Sequence, residues 1–239
     1  MRVRFALVGL FITACAVPSA LAQSAPETTL ARFIELANAG DLTTPEGQAL
    51  LTGEAKQMAT ASKSNLPAAD KVLPVSPTFA AARIVLRSPA GEEADAYFYL
   101  EKTGAGWAVS AYRQMALSGM DMMLLAEMRK QKQLSPEDQL RKRNLELTLS
   151  TDSQLRAWFV ANKQALENLR PPNSELRALG LSSVSETENG TEIVIGGTID
   201  NTVGFLRSGA SGPPAISPSR YFWIEELGDG WLLFRTTLL

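Results

Sequence analysis

The sequence predicts an α+β fold of two tandem units, each with helices first and a curved antiparallel β-sheet after them, joined by a helical connector. The first observation behind this is an aromatic hairpin that occurs twice at an offset of 124. Tyr97-Phe98-Tyr99-Leu100-Glu101 leads into Gly104-Ala105-Gly106-Trp107, and Tyr221-Phe222-Trp223-Ile224-Glu225 leads into Gly228-Asp229-Gly230-Trp231. The second is a shared Leu-Arg-Ser upstream of each hairpin, Val85-Leu86-Arg87-Ser88 and Phe205-Leu206-Arg207-Ser208, with four more residues intervening in the later copy. The third is a helix-start signal ahead of each strand set. The boundaries that follow are 1–22 for a leader, 26–117 for the first unit, 118–149 for the connector and 150–239 for the second unit.

At the N-terminus, Arg2 and Arg4 precede an apolar run from Phe5 to Val17 that is too short to span a bilayer. Pro18-Ser19 breaks it, and Ala20-Leu21-Ala22 before Gln23 has the small-x-small form that signal peptidase accepts. The reading is a signal peptide, cleavage at Ala22-Gln23, and a periplasmic or secreted protein. Ile12-Thr13-Ala14-Cys15 supports an alternative, a lipoprotein anchored to the membrane at Cys15. Removal of residues 1–22 takes the formal net charge from −2 to −4, which gives no basic footprint for nucleic acid. Cys15 is the one cysteine, so the mature chain has no disulfide and depends on burial for stability. A hydrophobic content of 45% is enough for a globular core.

The absence of histidine excludes Ser-His-Asp and Cys-His nucleophiles, and with the missing thiol it excludes His- or Cys-ligated zinc. No Gly-x-Ser-x-Gly elbow, Ser-x-x-Lys pair or phosphate-binding Gly-rich loop is present. The chemistry left open is that of carboxylates, Tyr and Lys. No cofactor is implied.

Ser24-Ala25-Pro26-Glu27 opens a helix with Leu30, Phe33, Ile34 and Ala37 on one face, ended by Gly40. Thr43-Thr44-Pro45-Glu46 opens a second, expected to run toward Ser62. Alternation then places Tyr97, Tyr99 and Glu101 on one strand face and Phe98 and Leu100 on the other. The later copy is expected to set Tyr221, Trp223 and Glu225 against Phe222 and Ile224. Arg87 and Arg207 are expected to pair with Glu101 and Glu225 across strands.

Thr151-Asp152-Ser153-Gln154 caps a helix through Leu169 with Leu155, Trp158, Phe159 and Leu166 as its apolar stripe. Asn189-Gly190 signals a further hairpin, and Ser208–Ser219, rich in Gly, Pro and Ser, reads as a lid over the second unit.

The first unit resembles the nuclear transport factor 2-like (ketosteroid-isomerase-like) superfamily. The resemblance rests on the opening helix ending in Asn38-Ala39-Gly40-Asp41-Leu42, a second helix, and strands closing on a Gly-x-Gly-Trp hairpin. It covers about residues 26–117, with 150–239 as a diverged copy. It implies a cone of sheet and helices whose open end binds a small molecule, hosts catalysis or meets a protein; no catalytic position of the family is matched here. The pattern also resembles a small periplasmic inhibitor-like domain, in which one helix or two cover a four-stranded sheet.

Between the units, Met115, Met120, Met122, Met123 and Met128 crowd together. They read as filler in a connecting helix, as an exposed partner surface, or as thioether ligands for copper. Arg129, Lys130, Lys132, Arg141, Lys142 and Arg143 follow and read as the solvated face of a helix begun at Ser135-Pro136, while Leu145, Leu147 and Leu149 alternate as a strand would.

The candidate binding residues are Tyr97, Tyr99, Glu101, Trp107, Tyr221, Trp223, Glu225 and Trp231, because each hairpin aligns aromatics with a carboxylate. The functional expectation is a non-catalytic envelope binding module for a small apolar or sugar-like ligand or an envelope protein. The alternatives are a ketosteroid-isomerase-like isomerase or lyase, using a buried carboxylate and Tyr, and a copper-handling protein.

Overall fold

The structure is a computed structural model that describes residues 25–89, 91–115, 118–170, 175–198 and 201–237. The leader and Cys15 lie outside these residues. The fold is α+β, with two antiparallel sheets and several helices.

Helix α1 (Pro26–Ala39) carries Pro at its first position, where no backbone donor is needed. It ends at Gly40, whose φ of +84° suits the left-handed cap, and Asp41 N–H closes onto Leu36 O at 2.9 Å. Helix α2 (Pro45–Ala49) is capped by the Thr44 hydroxyl and stops after five residues instead of running toward Ser62. The cause is the edge of the first sheet: Val109 donates to Leu50 O and Thr52 donates to Val109 O, both at 2.8 Å. Leu50 and Leu51 become buried there, and a 3-10 turn (Gly53–Met58) takes up the rest. Covering an open strand edge outweighs prolonging a short helix.

The first sheet has the order β1 (Lys71–Ser76), β2 (Phe79–Arg87), β3 (Glu93–Thr103), β4 (Gly106–Arg113). Phe98, Leu100 and Val109 face α1 and pack with Leu30 and Phe33, while Tyr97 and Tyr99 face the opposite way, as alternation requires.

Two helices follow the first sheet, α3 (Ser118–Lys130) and α4 (Pro136–Thr148), the latter capped by Ser135, which accepts from Asp138 N–H at 3.1 Å. Leu145 and Leu147 are therefore helical, not part of a strand. Helix α5 (Asp152–Glu167) begins with a full capping box: Gln154 N–H donates to the Thr151 hydroxyl at 3.3 Å, and Thr151 N–H donates to the Gln154 side chain at 2.9 Å. Thr151→Ala is expected to lower stability by about 1 kcal/mol, read as a shift of the urea midpoint at constant slope.

After α6 (Leu176–Leu179), the second sheet contains β5 (Ser183–Thr187), β6 (Gly190–Thr198), β7 (Asn201–Ser208), β8 (Tyr221–Gly228) and β9 (Trp231–Thr237). Its order is β5-β6-β7-β9-β8. The expected Asn-Gly hairpin joins β5 to β6. The two aromatic hairpins are set differently in their sheets. In the first, β3 lies beside the Leu-Arg-Ser strand β2; in the second, β9 takes that place and β8 forms the edge. The longer chain between β7 and β8 carries β8 past β9 to the outside. It is no lid: Ile216 is packed against both sets of rings, and Arg113 Nε donates to Pro218 O at 2.8 Å.

A bulge between Tyr221 and Trp223 also alters the expected faces of β8. Tyr221 joins Ile224 in one cluster, while Phe222 joins Trp223 in another, against the first sheet. Among the described residues five buried clusters result: one under α1, one under α5 with Phe159, Phe205 and Trp231, a third where β8 meets the outer face of the first sheet, and two smaller ones around Tyr221 and Phe234 and around Leu125 and Met128.

Candidate functional site

The third core brings together most of the buried charge. On β3, alternation that points Tyr97 and Tyr99 toward β8 points Asp95 the same way, and Arg83 lies opposite Tyr97 on β2. Asp152 is the first residue of α5, where the helix dipole favours a carboxylate. Glu225 comes from β8 and Arg235 from β9.

Asp152 is the hub, with a fully buried side chain. Tyr97 Oη donates to its Oδ2 at 2.9 Å and Arg83 Nη1 to the same oxygen at 3.1 Å, while Arg235 Nε donates to Oδ1 at 2.8 Å. Its own backbone N–H donates to Asp95 Oδ2 at 2.6 Å. Glu225 accepts from Arg83 at 3.1 Å and from Lys71 at 3.0 Å, and also from Arg156. Arg83 further pairs with Asp70. The contacts of Asp152 with Tyr97, Arg83 and Asp95, and those of Glu225 with Arg83 and Lys71, join the first half of the chain to the second; Arg235–Asp152 and Arg156–Glu225 lie within the second half.

Burial, and then the neighbouring Asp152 charge, push the Asp95 carboxyl up to about 7 despite the opposing guanidinium of Arg235. Burial opposes ionisation of Glu225 as well, but hydrogen bonds from Arg156 and Lys71 hold it below the usual glutamate range. Burial likewise works against the charge of Arg83 and Arg235, and the surrounding carboxylates more than offset it. Burial raises Tyr97 well above a normal tyrosine.

The arrangement is chemically closed. All four tyrosine hydroxyls are spent on protein acceptors: Tyr97 on Asp152, Tyr99 on the backbone carbonyl of Phe222, Tyr112 on Gln114, and Tyr221 on Glu192. An oxyanion stabiliser needs a donor aimed at the substrate, and no tyrosine is left free to be one.

Of the residues expected to form binding faces, Tyr97, Tyr99 and Trp223 are fully buried in the joint, with Tyr97 5.0 Å from the Trp223 ring. Glu225 is buried in the charge cluster, and Tyr221 and Trp231 lie inside the second half. Trp107 is half-buried against the α1 core, and Glu101 is exposed. The expected ion pairs do not form. The β2–β3 register sets Arg87 opposite Glu93, which it contacts at 2.8 Å, and sets Glu101 opposite Phe79. Arg207 faces Trp231 and donates to Thr191, two strands from Glu225.

The methionines separate. Met115 Sδ accepts from Arg235 at 2.9 Å, Met128 is buried beside Leu125 and Leu145, and Met120 and Met123 are 67% and 66% exposed. The basic run is partly neutralised, with Lys130 on Glu127 and both Arg129 and Lys142 near Glu146. Among the described residues, no three His, Cys, Asp or Glu side chains form a metal-holding group.

Arg83, Asp95 and Arg235 carry no motif, and Asp152 is legible in the sequence only as part of a helix start. The signal for the two arginines is a lone charge inside an apolar strand, as in Ala80-Ala81-Ala82-Arg83-Ile84-Val85 and Trp231-Leu232-Leu233-Phe234-Arg235. A buried charge of that kind demands a partner.

Two spaces flank the joint. A cavity of about 30 Å³ is lined by Asp95, Met115, Asp121, Met122, Ser150 and Arg235. Beyond Met122 and Leu149, which line both, a groove of about 630 Å³ runs between α3, α4 and α5, walled by Leu125, Leu147 and Trp158 with Arg129 and Glu146 at its rim. Compared with protein-family models, curated proteins and solved structures, the chain finds no match.

Proposed function

We propose that this chain is an exported envelope protein that works by binding a protein partner, and that the partner engages the groove between α3 and α5. The single observation that carries this reading is the groove itself. It combines a half-buried Trp158 with Met122, Leu125, Leu147 and Leu149, with the charged Glu92, Arg129 and Glu146 around them. Met, Leu and Trp side chains together, rimmed by charge, are the usual composition of an interface core. Export rests on the pattern of residues 1–22. The tandem-unit reading rests on the repeated aromatic hairpin, and the resemblance to the nuclear transport factor 2-like superfamily on the opening helix ending in Asn38-Ala39-Gly40-Asp41-Leu42, the second helix and the Gly-x-Gly-Trp hairpin.

A catalytic reading of the isomerase kind has less support, because the tyrosines it would use already donate elsewhere. The copper reading has less support because the exposed and buried thioethers lie on different sides of α3.

The test is native mass spectrometry of the mature protein from its own envelope fraction, beside a Glu92→Lys/Arg129→Glu variant, which changes two residues that line the groove. Both positions are exposed, so the variant is expected to fold. The wild type is expected to carry a second polypeptide, and the variant to bind that polypeptide at least about tenfold more weakly, a loss of about 1.4 kcal/mol. Equal binding by the variant would defeat the groove-side assignment, and a co-purifying small molecule would move the function to a ligand.

A further inference from the structure

We propose that Asp95 is a proton-binding site that sets how tightly the two halves of the molecule are held together. Its geometry is that of a carboxylate poised between two states. The side chain is 2% exposed, and Oδ2 is engaged by the backbone N–H of Asp152. Oδ1 is buried with no hydrogen-bond partner, and Arg83 Nε stands 4.0 Å from it. A buried anionic oxygen without a donor is costly, and a neutral carboxyl in the same place costs less.

The charges around it are divided in a way that favours this role. From α5 comes Asp152, the anion that Asp95 must face; from β9 comes Arg235, with Nη2 3.6 Å from Asp95 Oδ2. From β2 comes Arg83, already shared among Asp70, Asp152 and Glu225. Helix α3 contributes Asp121 to the shared cavity, and Glu93 lines it from β3 itself. Glu225 on β8 faces Asp95 only through Arg83, and Lys71 and Arg156 on the rim neutralise Glu225, not Asp95. The two guanidiniums are thus largely committed to other carboxylates, and the last negative charge to be accommodated is the one on Asp95.

The direction of the linkage follows. The folded state holds the proton up to about pH 7, whereas the unfolded chain releases it near 3.8. Stability from this group is complete below the lower value and is lost as pH rises through the upper one. Burial shifts Asp121 and Glu192 in the same direction, whereas hydrogen bonds from Arg156 and Lys71 outweigh burial and shift Glu225 in the opposite one. The control variant separates these from Asp95. The inference does not depend on what occupies the groove.

The experiment is urea unfolding of the full mature chain at a series of pH values, for the wild type and Asp95→Asn, together with a carboxyl-carbon NMR titration of the wild type. The wild-type folding constant is expected to fall about a hundredfold between pH 5 and pH 8, roughly tenfold per unit up to neutrality, and the Asn variant to lose most of that slope. A flat wild-type profile, or an unchanged slope in the variant, would overturn the proposal. Should the variant fail to fold, the NMR midpoint decides: near 7 supports it, and below 5 overturns it.

Discussion

Asp152→Ala is expected to destabilise the protein by about 3–5 kcal/mol, because it breaks a buried ion network from one side only. The substitution leaves Arg83, Arg235 and the Tyr97 hydroxyl without the acceptor they share. Their desolvation has already been incurred in the folded state, so the loss exceeds the net worth of the ion pairs. Asp152→Asn keeps the shape and an acceptor, and it removes the anion that faces Asp95. It is expected to lose less, with Asp95 ionising at lower pH and taking over part of the counterion role toward Arg235. Urea denaturation of both variants at one pH checks the ranking. An Ala variant within about 0.5 kcal/mol of wild type, the usual range for surface substitutions, would mean that the cluster does not hold the halves together.

The second large effect is expected at Trp223. The ring is fully buried, stands 5.0 Å from Tyr97, and has the Arg83 guanidinium 5.9 Å from its centre. Trp223→Ala opens a cavity at the joint and is expected to cost about 3–5 kcal/mol. Trp223 Nε1 has no hydrogen-bond partner, so Trp223→Phe removes an unsatisfied buried donor along with the larger ring. The Phe variant is therefore expected to retain much of the stability that the Ala variant loses. Thermal unfolding of both reads the difference. If the ring served a ligand instead of the joint, both substitutions would leave unfolding nearly unchanged.

Local rules made much of the fold legible. Gly40, Thr44, Ser135 and the Thr151–Gln154 box mark helix ends because capping is written in a few adjacent residues. The alternation of β3 correctly divides Phe98 and Leu100 from Tyr97 and Tyr99. What failed depended on distant partners. The break after α2 needs the open edge of β4, the shift of Tyr221 needs a bulge against β9, and the position of β8 needs the path of the preceding loop.

The candidate site was half legible for the same reason. Aromatic residues aligned with a carboxylate signal a surface that will be covered, but not what covers it. Here Tyr97, Tyr99 and Trp223 cover one another across two halves of one chain. Asp152 shows how a residue can be read for one role and hold another. The sequence assigns it to a helix start, and the fold brings Arg83 and Arg235 to that start from positions 69 residues before it and 83 after.

The most direct test of the joint is amide hydrogen exchange of the wild-type protein across a low-denaturant series, comparing β3 with β9. If the rings and charges clasp the two sheets into one unit, the slowest amides of both strands exchange through the same global opening, with equal free energies and equal denaturant dependence. If one sheet opens at clearly lower free energy while the other stays protected, the halves are independent, and the buried aromatic and charged residues between them are not what holds the molecule together.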